Sequence, residues 1–218
     1  MYDVKINLST NLERTRALMS EKNSLPHHPQ IMTAGSVEEE TKLYLRQGLV
    51  KLTIMTTGGT IEKTYDENDG SLENRGTVIS NKIHQKLRLP NTEIKVIPLM
   101  SKDSIYMDDQ DREKIFQALL EAVKDARPII VLHGTDTMEM TAKYCFQKKA
   151  TWEVPIIFTG AMIPLGFEDS DALQNVTEAL FACRFIESGL YLSFHNQLFK
   201  VPFVTKNRQL RTFESTLL

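Results

Sequence analysis

From Lys51 onward, short apolar runs alternate with longer stretches of helical period, and this alternation limits the folds open to the chain. Strand-like runs lie at 52–55, 94–99, 128–132, 155–158 and 190–194, with helix-like stretches at 80–89, 109–126, 137–150 and 171–188. In the second stretch Ile115, Phe116, Leu119, Leu120 and Val123 fall on one helical face, and Asp108 or Asp109 can cap its start. Strands that alternate with helices predict an α/β fold: a doubly wound, mainly parallel sheet with helices on both faces. At 218 residues the chain is long enough for one domain with a real core and short for two.

Such a sheet gathers function at the carboxyl ends of its strands. The first strand ends in Thr56-Thr57-Gly58-Gly59-Thr60, where paired glycines allow a sharp turn and close approach of another group. This reads either as a turn presenting a hydroxyl to a ligand or as a plain strand-to-loop turn with hydrogen-bonding threonines. Three further ends carry polar residues: Ser101-Lys102-Asp103-Ser104, His133-Gly134-Thr135-Asp136-Thr137 and Thr159-Gly160-Ala161-Met162. Thr135, Asp136 or Thr137 can also cap the following helix. The loop over 62–78, with Tyr65, Gly70 and Gly76, has the length and polarity of an active-site lid and equally those of a solvated loop. A nucleotide-binding reading of the glycines is weak, because neither a GxGxxG pattern nor a phosphate-loop lysine is present.

Residues 1–48 differ from the rest and read as an amino-terminal extension of unknown role, preceding a domain over 49–218. Ser36-Val37-Glu38-Glu39 has the capping-box pattern and predicts a short helix over 37–47. His27 and His28 stand between prolines in a polar stretch and read as a solvated loop, since no His/Cys cluster has zinc-like spacing. No metal site is expected. The formal net charge of -2 suggests neither nucleic acid nor an anionic membrane as a partner. No apolar run approaches the roughly 18 residues of a membrane helix. An amino terminus reading MYDVKINLSTNLERTR lacks the features of a signal peptide, so a cytoplasmic location is expected. Cys145 and Cys183 read as buried thiols rather than a disulfide.

TTGGTI, then HGTDTM, then the TGAM turn, in that order on successive strand ends, resemble the L-asparaginase/glutaminase family of threonine amidohydrolases. Val204-Thr205-Lys206 resembles the family's lysine-bearing segment. The resemblance covers roughly residues 51–215 and implies an asparaginase-like catalytic domain in a short single-domain form. Thr60 matches the family's nucleophilic threonine, while Thr135, Asp136 and Lys206 match its Thr-Lys-Asp arrangement. Tyr65 lies in the loop of the family's flexible tyrosine. A threonine hydroxyl needs an adjacent base to act as a nucleophile, and Asp136 would orient the lysine and hold a substrate ammonium. Backbone N–H groups at the glycine turns would stabilise the oxyanion, each worth about 3 kcal/mol.

Ser101 matches the family serine that binds the substrate α-carboxylate. Lys102 stands where many members have glutamine, and it either pairs with that carboxylate or points to solvent. Asp171 matches a structural aspartate of the family, although a plain helix cap accounts for it and is the preferred reading. Usual members continue into a second small α/β domain, which supplies an acidic contact to a neighbouring subunit. With no counterpart before Leu218, Asp136 or the extension is expected to hold the amine instead. The implied activity is hydrolysis of L-asparagine to L-aspartate and ammonia through an acyl-enzyme, without a cofactor, in a homo-oligomer of two or more chains. Glutamine or another small amide is the alternative substrate, and a non-catalytic amino-acid-binding module is the alternative role.

Overall fold

The computed structural model of the chain describes residues 48–65, 72–74 and 86–217. Residues 1–47 with their expected helix, His27 and His28, most of the 80–89 helix and much of the 62–78 loop lie outside the described residues.

Alternate residues of the parallel strands point to opposite faces, and each face is apolar. Strands β1 (Val50–Thr56), β4 (Thr92–Pro98), β5 (Ile129–Leu132), β6 (Pro155–Thr159) and β7 (Gly189–Phe194) form a sheet in the order β4-β1-β5-β6-β7. All neighbouring pairs among them are parallel. Met55, Ile129, Val131, Ile156 and Phe158 pack with Ile115, Phe116 and Leu119 of α1 (Asp109–Ala122) and with Met138, Ala142 and Cys145 of α2 (Met138–Lys148). Leu52, Ile54, Ile130, Leu132 and Ile157 pack on the other face with Val176, Ala179 and Leu180 of α3 (Ala172–Ala182). Each such Ile or Leu contributes ~1.5–3 kcal/mol through removal from water. The expected doubly wound sheet is therefore the architecture of the described residues.

Local outcomes refine the sequence reading. Asp108 caps α1: its Oδ1 accepts the Gln110 and Asp111 N–H groups, and Asp111 Oδ2 accepts the Asp108 N–H in return. The helix then tightens into a 3-10 turn over Val123–Asp125 and stops at Ala126, which sits at φ 51. Strand β8 (Gln197–Lys200), not expected from the sequence, adds antiparallel to β7 and closes that edge. A separate hairpin joins β9 (Val204–Asn207) to β10 (Thr212–Ser215), and a short one joins β2 (Lys63–Tyr65) to β3 (Leu72–Asn74). Among the described residues, no helix is long and apolar enough to cross a membrane. Cys145 and Cys183 are buried and unpaired, as expected.

The sheet grows outward in two directions from its middle: β1 is flanked by β4 on one side, while β5, β6 and β7 follow one another on the other. The strand order thus reverses between β1 and β5, where open α/β sheets leave a crevice for ligands. TTGGT ends the first of these strands and HGTDT ends the second.

Candidate active site

Close contact of two backbone turns builds the floor of the crevice. Gly58 and Gly59 take φ 93 and φ 82, conformations that side chains with a Cβ rarely adopt. A Cβ on Gly59 would lie 2.4 Å from the Gly134 Cα, and one on Gly58 would lie 2.4 Å from the Lys102 N. Thr57 anchors the turn to β5, its N–H and its hydroxyl both donating to the Leu132 carbonyl at 3.0 Å. Gly59 N–H donates to the Lys102 carbonyl, and Lys102 N–H donates to that of Thr57, each at 3.1 Å. Thr60 is half-buried and opens a 3-10 turn over Thr60–Glu62. Thr60 and Thr135 therefore each follow a glycine, and those two glycines touch.

Residues far apart in sequence meet around Thr135, which is buried. Lys206 Nζ on β9 donates to Thr135 Oγ1 and to Asp136 Oδ1, both at 2.9 Å. The Lys206 side chain is 10% exposed, and its backbone N–H is held by Glu139 Oε2 at 3.1 Å. Arg208 reaches the same Asp136 oxygen at 3.2 Å from an exposed position. The Thr137 hydroxyl does not cap α2; it donates to the Ser104 carbonyl at 2.8 Å and ties this turn to the loop after β4. His133 is fully buried, and its Nδ1 donates to the Gly134 carbonyl at 2.8 Å. Burial pushes its pKa down to about 4, helped by the charge of Arg112 and opposed by that hydrogen bond, so the ring is neutral near pH 7.

The third turn is fixed by Asp171, and here the cap reading is corrected. Asp171 makes no side-chain cap bond on α3. Its carboxylate instead accepts the N–H groups of Met162 and Ile163 at 3.0 Å, the Asn175 amide at 2.9 Å and His195 Nε2 at 3.1 Å. Asn175 also donates to the Gly160 carbonyl at 3.0 Å, which locks the segment beside Thr135.

The remaining sequence-predicted residues lie further out. Ser101 is exposed, and the partly exposed Lys102 amine pairs with Asp111 at the start of α1. Tyr65 is 60% exposed at the end of β2. Asp103 pairs with Lys63 at 2.7 Å and caps the 3-10 turn over Ser104–Tyr106. Sequence reasoning passed over Ser104, which is wholly buried with its hydroxyl facing Gly134 and without a partner among the described residues. Glu62, Glu139, Asn175 and Arg208 were missed as well. Of these, only Glu62 carried a signal, as an acid two residues beyond Thr60. Among the described residues, no group of three or more His, Cys, Asp or Glu is placed to hold a metal ion.

A family model described as asparaginase, N-terminal, matches residues 51–216. The chain belongs to the asparaginase family. L-asparaginase 1 of Escherichia coli is 31% identical over 156 residues, covering 69% of this chain and 45% of that protein. One component of a glutamyl-tRNA(Gln) amidotransferase from Methanococcus maripaludis is 28% identical over 156 residues, covering 68% of this chain and 36% of its own length. The solved thermostable L-asparaginase from Thermococcus kodakarensis superposes with TM-score 0.69 at 27% identity, covering 76% of this chain and 51% of that one. The chain spans about half or less of the length of these relatives.

Proposed function

We propose that the protein is an amidohydrolase that releases ammonia from L-asparagine, with Thr60 as the nucleophile. The observation that carries this reading is the Lys206 amine, bridging Thr135 and Asp136 on a turn whose glycine touches the one before Thr60. A side-chain amide in the crevice would be attacked by the Thr60 hydroxyl. Thr135 and Lys206 would carry protons between the reacting oxygen and the departing ammonia, and Asp136 would hold the amine in line. Water entering through the same path would then release aspartate from the acyl-enzyme.

The oxyanion donors differ from the simplest expectation. Gly58 N–H is taken by Glu62 and Gly59 N–H by Lys102. The oxyanion is thus assigned to donors beyond Gly59. Ser101 and Lys102 are proposed as outer substrate contacts, with Tyr65 as the mobile cover. Asp136 already serves two cations, so a substrate ammonium would share it. The chemistry needs no cofactor, and we assign the protein to the cytoplasm as a homo-oligomer.

Relatives named as part of a glutamyl-tRNA(Gln) amidotransferase favour glutamine as the second candidate. The test is ammonia release by the purified chain from L-asparagine and L-glutamine at equal concentration. Faster release from asparagine supports the assignment, and faster release from glutamine moves it to the alternative. Binding of either amino acid without release would make the chain an amino-acid-binding module.

A further inference from the structure

The turn that carries Thr60 contains an acid that the hydrolysis above does not use. Glu62 is the last residue of the 3-10 turn, and only 4% of it is exposed. Its Oε2 accepts the Gly58 N–H at 2.7 Å, closing the side chain back across Gly59 and Thr60. Its Oε1 is buried without a hydrogen-bond partner among the described residues. Burying a half-satisfied carboxyl is costly, whereas an apolar side chain would bury here at no such cost. The acid therefore calls for a role beyond filling space. Its one firm bond falls on the N–H between Thr57, pinned to β5, and Gly59, pinned to the loop after β4.

We propose that Glu62 is a positioning residue for the Thr60 turn: its ionised carboxylate clamps the Gly58 N–H and so holds the Gly59–Thr60 peptide that aims the Thr60 hydroxyl. The proposal rests on the reading of Thr60 as the nucleophile.

A neutral carboxyl accepts an N–H more weakly than a carboxylate does, so the clamp follows the proton on Glu62. Burial raises its pKa to about 7, opposed by the Gly58 N–H and the Thr56 hydroxyl, both of which favour the ion. The charged groups on the segments packed against the turn are already committed or distant. Lys63 pairs with Asp103 and Lys102 with Asp111. His133 on the HGTDT turn is neutral, Asp136 beside it pairs with Lys206, and Glu168 and Asp169 on the loop that meets Ile61 are exposed. The clamp is thus full above neutrality and loosens below it.

Two measurements on the full chain test this. The first follows the Gly58 amide proton resonance against pH in the wild-type chain and in Glu62→Gln, which keeps an oxygen for the N–H and cannot titrate. The wild-type resonance should shift with a midpoint near 7, and the variant's should not. A wild-type resonance that stays fixed, or one that titrates equally in the variant, overturns the clamp.

The second measures ammonia release. Glu62→Ala should lower kcat about tenfold or more with KM changed less than about threefold. Glu62→Gln should recover most of that loss and lack the acidic limb expected in the wild-type profile. An Ala variant with wild-type kcat, or a Gln variant that keeps the limb, overturns the positioning role. Should the wild-type chain release no ammonia while its Gly58 amide titrates as expected, the hydrolase reading falls and the clamp stands.

Discussion

Two turns meet in the crevice and are built in opposite ways. The Thr60 turn is held mainly by backbone: two glycines at positive φ, a third pressed against Gly59, and carbonyls of Leu132 and Lys102 receiving N–H groups, with the Thr57 hydroxyl and the Glu62 carboxylate as side-chain ties. The Thr135 turn is held by side chains, through an amine drawn from about seventy positions away and the carboxylates of Asp136 and Glu139. The first is a matter of shape and tolerates no added atom. The second is a matter of charge and proton transfer, and tolerates changes of shape better than changes of chemistry. A nucleophile needs fixed aim and a proton carrier needs a responsive partner, so the division suits the proposed roles.

Gly59→Ala should break the first turn outright. Its Cβ would sit 2.4 Å from the Gly134 Cα, at a φ of 82 that alanine resists, which costs on the order of 3 kcal/mol or more. Thermal unfolding should show a midpoint lowered by about 5 °C or more, with ammonia release lost; an unchanged midpoint would mean that the two turns do not press together. Lys206→Met should spare the fold, because Asp136 keeps Arg208, while reducing kcat about 10²–10⁴-fold. Circular dichroism and ammonia release measure both effects, and a variant that stays active would leave the second turn without its proposed chemistry.

The smallest effect separates the two turns by pH. Glu62 has its pKa raised from 4.5 to about 7 on folding, so the folded state holds more protons over that range and loses stability as pH rises through it. His133 has its pKa lowered from 6.5 to about 4, so the folded state holds fewer protons and gains stability as pH rises between those values. Each shift amounts to about 3 kcal/mol. Between pH 4.5 and 6.5 the two contributions oppose each other. Glu62→Gln should therefore make stability climb more steeply with pH in that window, as read by chemical denaturation. A slope equal to wild type would place the acid in water rather than in the turn.

Much of this was legible in the sequence for a definite reason. Apolar runs set the strands, and the polar residues at their ends could then be placed on one edge, so Thr60 and Thr135 came together without coordinates. Lys206 was legible only through resemblance, since no spacing rule brings a residue of a late hairpin back to a turn about seventy positions earlier. Asp171 misled because a helix start and a turn anchor look alike in one dimension. The pairing of Lys102 was not legible, because nothing in one dimension singles out its partner, Asp111, inside the first turn of α1. Strand β8 was hidden by its exposed, half-polar sequence, as an edge strand buries only one side chain. Ser104 gave no sign of being buried, because its surroundings form only when Gly134 arrives beside it.

The most direct test of the central claim is to mix the chain with L-asparagine, quench in acid and weigh the peptides. The account predicts an aspartyl adduct on the peptide that contains Thr60, with neither adduct nor ammonia release from a folded Thr60→Ala chain. An adduct on the Thr135 peptide, or ammonia release that persists in Thr60→Ala, would contradict it.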